Sequence, residues 1–109
     1  MMSNGSNWVS IDVAFPAPGR MAPFQVGGLS LLLCNAEGEP HVIAATCPHA
    51  RVGLGDGVLR GCILECPLHG GKLDVRDGSP VAPPIRVPAQ TYPVRSGVGG
   101  LEVALPEIP

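Results

Sequence analysis

The chain of 109 residues is long enough for a single domain with one hydrophobic core, and 45% of its residues are hydrophobic. Its 7 basic and 9 acidic residues give a formal charge of -2, which excludes the basic surface of a nucleic-acid-binding protein and the strong self-repulsion of a disordered chain. No apolar run approaches the roughly 18 residues of a membrane-spanning helix. The 15 glycines and 13 prolines predict many short strands joined by turns.

The N-terminal half predicts a tail followed by four strands. Residues 1–7 lack the basic start and apolar segment of an export signal, so we expect a flexible tail. Apolar and polar residues alternate in the first predicted strand, and the third is strongly apolar and too short for an isolated helix. The polar residues 35–40 predict a hairpin turn between the third and fourth strands. The predicted strands are 8–13, 24–26, 29–34 and 41–46.

The C-terminal half continues the same pattern. Residues 51–57 are rich in glycine and unsuited to a helix, whereas residues 58–65 predict a second hairpin. Further strands are predicted at 72–75, 85–87, 91–95 and 101–105, with turns between them. Because no segment shows sustained helical periodicity, we expect an all-β fold, an antiparallel β-barrel or sandwich with hairpin loops gathered at one end.

Residues 47–69 carry a pattern that predicts a metal site. Cys47-Pro48-His49 is followed by 16 residues and then by Cys66-Pro67-Leu68-His69. Each half offers one thiolate and one imidazole at short spacing, and the prolines stiffen the loops. Structural zinc sites usually separate a Cys pair from a His pair. The mixed halves instead suit a binuclear centre in which both thiolates hold one iron and both imidazoles hold the other.

This pattern resembles the Rieske [2Fe–2S] family, which also has the Leu-x-Asp-Gly found here at Leu54, Asp56 and Gly57. The resemblance extends over about residues 8–105, and we expect residues 8–109 to form a single Rieske domain with cluster-binding loops at about 45–72. It implies one Rieske-type [2Fe–2S] cluster per chain. The implied metal and cofactor ligands are Cys47, His49, Cys66 and His69.

The resemblance further implies a smaller cluster-binding subdomain, made of two hairpin loops and a covering proline loop at about 80–84. The residues expected to cover the cluster and form a docking rim are Pro48, Ala50, Leu68, Gly70, Gly71, Pro83 and Pro84. High-potential respiratory relatives donate Ser and Tyr hydroxyls to the cluster, and Gly71 and Leu73 stand at those positions here. Since neither side chain can donate, we expect a potential near the low end of the Rieske range, about -150 mV.

Taken together, the residues resemble the ferredoxin components of bacterial aromatic-ring-hydroxylating dioxygenase systems. That resemblance implies an electron carrier with no catalytic residue of its own, which takes single electrons from an NAD(P)H-dependent flavin reductase and passes them to a terminal Rieske non-haem iron oxygenase. We expect a cytoplasmic monomer that binds neither nucleic acid nor membranes. Two alternatives remain, namely the small Rieske-like subunit of an assimilatory nitrite reductase and a structural zinc-binding interaction module.

Three further residues could have bound metal but have simpler interpretations. Cys34 is predicted to be a small core hydrophobe, and Cys62 a buried inert thiol that shares strand parity with Cys66. His41 is predicted to be a solvated residue at the end of a strand. Because the spacing of the cysteines suggests no disulfide framework, the free thiols favour a reducing compartment.

Overall fold

The computed structural model describes residues 7–48, 53–67 and 70–105. These ranges contain eleven strands and one short 3-10 turn, and every strand pairing is antiparallel. The elements are β1 (Asn7–Ser10), β2 (Met21–Val26), β3 (Leu29–Ala36), β4 (Glu39–Ala44), the 3-10 turn (Leu54–Asp56), β5 (Val58–Arg60), β6 (Ile63–Glu65), β7 (Lys72–Asp74), β8 (Pro80–Ala82), β9 (Thr91–Tyr92), β10 (Val94–Gly97) and β11 (Gly100–Leu105).

The strands form three sheets, which confirms the expected all-β class. The central sheet has the order β2-β3-β4-β9, a second sheet has the order β1-β11-β10, and the third has the order β5-β6-β7-β8. Across the described residues, no helix is long and apolar enough to cross a membrane.

Strand β3 is buried on both faces because its apolar residues are continuous rather than alternating. Successive side chains of a strand point to opposite faces, so Leu32 and Cys34 enter one core while Leu31 and Leu33 enter another. The first, which we call the cysteine core, contains Leu32, Cys34, Ala36, Ile43, Cys47, Leu54, Leu59, Leu64, Cys66, Leu73, Val75, Ile85 and Ala89. The second core contains Phe24, Leu31, Leu33, Val42 and Val103.

The sheet β5-β6-β7-β8 contributes a row of leucines to the cysteine core. Leu64 on β6 lies directly opposite Leu59 on β5 and Leu73 on β7, and all three side chains are buried. Directly opposite residues share a face of a sheet, so this row packs as one layer. Burying a leucine contributes about 1.5–3 kcal/mol, so this layer fixes the small sheet against the central one.

The β3–β4 hairpin has its turn at Glu37 and Gly38, which have φ values of 57° and 94°. Two consecutive residues with positive φ match the twist of the adjoining strands in a tight hairpin. The buried Asn35 side chain accepts a hydrogen bond from the Gly38 N–H at 2.7 Å and donates one to the Pro16 carbonyl at 2.8 Å. The hairpin turn is therefore held to the N-terminal segment.

Three predictions about the elements were wrong. Residues 85–87 form no strand, and the predicted strand 91–95 is instead two strands in two different sheets, separated by Pro93. Proline has no N–H to donate, so the pairing changes at that residue, from β4 beside β9 to β11 beside β10. Residues 54–56, which we expected to be non-helical, form the 3-10 turn.

Candidate metal centre

The first predicted metal loop leaves the end of β4 and is closed by backbone pairing. Thr46 bridges Gly53, and the Leu54 N–H donates to the Ala45 carbonyl at 2.7 Å. Cys47 follows this closure, and its side chain is only 2% exposed. The closure holds the Cys47 thiol in the cysteine core at the mouth of the loop, while residues 49–52 lie outside the described part of the chain.

The second predicted metal loop leaves the end of β6 in a similar way. Glu65 pairs with Lys72, and the Cys66 N–H donates to the Gly71 carbonyl at 2.7 Å. Cys66 is 3% exposed. Gly70 has a φ of 73°, a conformation that glycine adopts without strain. The Cys66 side chain thus occupies the same position relative to its loop as Cys47 does to the first.

The two loops start from different sheets, but their cysteines are buried in the same core. Cys47 and Cys66 both belong to the cysteine core, with Leu54 between the loops in sequence. Gly57, which ends the 3-10 turn after the first loop, lies so close to β6 that a Cβ added there would overlap the Glu65 carbonyl oxygen. The backbone after the first loop therefore lies against the strand that carries the second.

The proline segment lies beside the second loop. Strand β8 pairs with β7, with Ala82 opposite Lys72, and Pro83-Pro84 follows with a cis peptide bond. Ile85 is buried, and a Cβ added to Gly71 would lie 2.8 Å from its Cγ1 atom. The predicted covering loop at 80–84 therefore begins as an edge strand, where a proline is tolerated because no partner needs its N–H.

The predicted rim residues differ in exposure. Pro83 is exposed, whereas Pro48, Pro84 and Gly70 are half-buried. Gly71 is buried against Ile85, so it offers a backbone acceptor to Cys66 rather than exposed surface. The other two predicted rim residues, Ala50 and Leu68, lie outside the described residues.

The predicted ligands His49 and His69 also lie outside the described residues. Within 7–48, 53–67 and 70–105, no three His, Cys, Asp or Glu side chains come together as a metal site. The described part of the site nevertheless fits an iron–sulfur cluster, because such clusters need thiolates held away from solvent and these two thiols meet that requirement.

The Rieske [2Fe-2S] domain family matches residues 8–93 of this chain. The chain belongs to that family. Its cofactor is accordingly a Rieske-type [2Fe–2S] cluster.

The curated relatives of this Rieske domain are electron-transfer proteins. It is 40% identical over 79 residues, 72% of this chain and 74% of the relative, to the ferredoxin component of biphenyl 2,3-dioxygenase from Rhodococcus jostii (strain RHA1). It is 33% identical over 90 residues, 82% of this chain and 86% of the relative, to the ferredoxin component of the naphthalene 1,2-dioxygenase/salicylate 5-hydroxylase systems of Ralstonia sp.. The family and these relatives make this chain a Rieske electron carrier rather than a catalytic subunit.

Solved structures agree on the fold. The ferredoxin of carbazole 1,9a-dioxygenase from Nocardioides aromaticivorans IC177 is 32% identical with a TM-score of 0.75, covering 84% of this chain and 88% of that one. A chain of the complex of reduced oxygenase and oxidized ferredoxin in carbazole 1,9a-dioxygenase is 29% identical with a TM-score of 0.82, covering 93% and 95%. A putative NADH-dependent nitrite reductase small subunit from Mycobacterium tuberculosis has a TM-score of 0.78 at 22% identity, covering 94% of this chain and 98% of that one, which shows the shared fold alone.

The two other cysteines of the Rieske domain differ from each other. Cys34 is fully buried, as predicted, and burial raises the pKa of its thiol to about 12, which keeps it protonated and unreactive. Cys62 was predicted to be buried in a strand, but it is half-buried in the turn before β6, where its carbonyl accepts the Val75 N–H at 2.9 Å. Cys62 therefore lies at the opposite end of β6 from Cys66.

A cleft at that far end of the Rieske domain was missed by sequence reasoning. It has a volume of about 330 Å³ and is lined by residues that include His41, Arg76 and Tyr92. His41 lies within β4 and is half-buried, not a solvated strand-end residue as predicted. Beside the cleft, the Arg76 guanidinium donates to the buried Asp74 carboxylate at 2.7 and 3.0 Å, and these hydrogen bonds lower the pKa of Asp74. An aspartate two residues before an arginine at a strand end was the available signal for this ion pair.

Proposed function

We propose that this Rieske protein is the ferredoxin component of a bacterial aromatic-ring-hydroxylating dioxygenase system. It would take single electrons from an NAD(P)H-dependent ferredoxin reductase and pass them to a terminal Rieske non-haem iron oxygenase. The observation that carries the proposal is that two buried loop-mouth thiols, Cys47 and Cys66, belong to the same core. The names of the curated relatives, and a structural neighbour from an oxygenase–ferredoxin complex, support the choice of partners.

The proposed ligand set follows the two halves of the motif. The Cys47 and Cys66 thiolates would hold the inner iron, and the His49 and His69 imidazoles the outer one. When bound, the [2Fe–2S] cluster accepts one electron and releases it again. The chain's own contribution is to keep both thiolates out of water through the closures at Ala45 and Gly71.

The residues near the second loop support a potential near the low end of the Rieske range. Leu73 is fully buried and Gly71 packs against Ile85, so neither position offers a side-chain donor to the cluster sulfurs. Hydrogen bonds to sulfur stabilise the more negative reduced state, so their absence lowers the potential. We expect about -150 mV, which suits electrons supplied by a flavin reductase.

We further propose a docking surface and a cellular location for the protein. Residues 8–109 act as one Rieske domain, a monomer that docks through the rim formed by Pro48, Gly70, Pro83 and the other predicted rim residues. Exposed proline at the rim suits docking, because a rigid surface loses little entropy when it binds. The free thiols of Cys34 and Cys62 favour a reducing, cytoplasmic location.

The two alternatives receive less support. The likeness to a nitrite reductase small subunit extends to the fold alone, whereas the ferredoxin relatives also share at least 33% identity over most of the chain. A structural zinc module is disfavoured by membership of the Rieske family. A ring-hydroxylating oxygenase and a reductase encoded beside this chain would strengthen the dioxygenase assignment.

Anaerobic purification of the protein and of two variants tests the ligand set. We expect wild type to hold two irons and to give the paramagnetic resonance spectrum of a reduced Rieske cluster. Cys66→Ser should lose the iron, whereas the matched control Cys62→Ser should keep it, because Cys62 lies at the other end of β6. His69→Cys should keep a cluster of lower potential. Colourless, iron-free wild-type protein or a zinc-loaded one would overturn the proposal.

A further inference from the structure

Glu65 places a carboxylate beside the second metal loop. It is the last residue of β6 and directly precedes Cys66. A Cβ added to Gly70, which follows the predicted ligand His69, would lie 3.6 Å from the Glu65 Oε2 atom. The carboxylate is thus held against the C-terminal end of the loop that Cys66 opens.

The backbone that carries this carboxylate is restrained by its neighbours. The Glu65 backbone lies between Val58 and Lys72 in the sheet, and its carbonyl is the group that excludes a side chain at Gly57. Three neighbouring segments therefore restrict the backbone of Glu65. Its side chain starts from a rigid position and reaches toward Gly70.

The negative charge of Glu65 is only partly compensated. Arg60 Nη1 lies 3.4 Å from Glu65 Oε1, a long contact between side chains that are 74% and 37% exposed. Exposed pairs of this kind interact weakly because water screens both charges. Among the described residues, Lys72 lies directly opposite Glu65 in the sheet but forms no ion pair with it. Glu65 therefore leaves negative charge beside the second loop, which Arg60 and Lys72 reduce.

We infer that the negative charge of Glu65 lowers the reduction potential of the cluster. The inference rests on the proposed ligand set, since it needs the cluster at the second loop. An oxidised [2Fe–2S] core of charge +2 with two thiolates is neutral overall. Taking one electron from a reductant adds one negative charge, which repels the nearby carboxylate, so Glu65 disfavours the reduced form.

Redox titration of the loaded protein tests this inference with a matched pair of variants. Glu65→Gln removes the charge and keeps the shape, and it should raise the midpoint potential. Glu102→Gln is the control, because Glu102 also pairs with an arginine, Arg95 at 2.9 Å, but lies on β11 in a different sheet. We expect Glu65→Gln to favour reduction by about threefold, which is about 28 mV since tenfold corresponds to about 59 mV for one electron. Glu102→Gln should leave the midpoint unchanged.

Two further measurements distinguish an electrostatic effect on the midpoint potential from the effect of a structural change. Arg60→Gln leaves Glu65 in place and removes its compensating charge, so it should lower the midpoint, opposite in sign to Glu65→Gln. Because Glu65 and Arg60 are partly exposed, both shifts should shrink as ionic strength rises. Shifts of the same sign in both variants, or none in either, would overturn the inference.

The outcomes also distinguish this inference from the proposed function. Wild-type protein that holds two irons but shows equal midpoints for wild type and Glu65→Gln overturns only the role of Glu65. Wild-type protein without iron overturns the proposed function itself. If Glu65→Gln fails to retain iron, the midpoint of Arg60→Gln alone tests the inference: a lowered midpoint supports it, and an unchanged or raised one overturns it.

Discussion

The two cores of this protein use the same central strand for different purposes. Leu31 and Leu33 of β3 pack in the second core, which contains aliphatic and aromatic side chains only. Leu32 and Cys34, one residue out of phase, pack in the cysteine core beside both loop-mouth thiols. The second core contributes packing alone. Under the proposed ligand set, the cysteine core also holds two cluster thiolates, so we expect its packing to affect both stability and cofactor binding.

The largest expected effect comes from emptying either core. Leu32→Ala and Leu33→Ala each remove a fully buried leucine from adjacent positions of β3, and each should lower the free energy of unfolding by about 2.7–5 kcal/mol. Only Leu32→Ala should also speed the loss of iron to a chelator, because only Leu32 lies in the core of Cys47 and Cys66. Chemical denaturation and chelator kinetics measure the two effects. Equal rates of iron loss in both variants would contradict the idea that only the cysteine core supports cofactor binding.

A smaller effect is expected where the backbone after the first predicted metal loop lies against β6, the strand that precedes the second. Gly57→Ala would push a methyl group into the Glu65 carbonyl, which is backbone and cannot rotate away, so we expect a loss of about 1–3 kcal/mol. Gly53→Ala is the matched control at the other end of the 3-10 turn. Gly53 has an ordinary extended φ of -71° and no atom within 4 Å of the added Cβ.

Gly53→Ala should be neutral or should stabilise the fold by up to about 1 kcal/mol, since alanine restricts the unfolded chain. Thermal unfolding of both variants tests the pair. A Gly57→Ala protein as stable as wild type would mean that Gly57 does not pack tightly against the Glu65 carbonyl.

The smallest effect concerns two ion pairs, one on each side of the central sheet. Hydrogen bonds from Arg76 hold the pKa of the buried Asp74 below its usual value of about 3.9. A carboxylate with a depressed folded pKa stabilises the fold above its unfolded pKa, and this contribution is lost as the pH falls through the folded pKa. Asp74→Asn should therefore be less stable than wild type at pH 7, and the difference should begin to shrink below about pH 4 and continue to shrink towards the lower pKa of the folded state.

The control for this pH dependence is Glu102→Gln, which breaks the more exposed pair with Arg95. Exposed pairs contribute about 0–1 kcal/mol, so Glu102→Gln should change stability little. Urea titrations between pH 3 and pH 7 measure both variants. A constant gap between Asp74→Asn and wild type across this range would rule out the Asp74 carboxylate as the source of stability.

Much of this protein could be predicted from local sequence patterns. The alternation and turn residues predicted the hairpins at 29–46 and 58–65, and the motif at 47–69 predicted an iron–sulfur protein, which the family match confirms. The buried state of Cys34 was also predicted correctly. These features depend on residue types and on spacings of a few residues, so they can be recognised in the sequence alone.

The tertiary structure decided what depends on distant contacts. Residues 85–87 were predicted to be a strand, but Ile85 packs against Gly71 instead of pairing with another strand. Pro93 divides another predicted strand between two sheets. The approach of Gly57 to Glu65 and the cleft beside the Asp74–Arg76 pair were likewise invisible in the sequence. The motif determined which chemistry this protein performs, because ligand identity and spacing are local. Packing of one sheet against another decided which charges and backbone atoms surround that chemistry, since those neighbours come from segments remote in sequence.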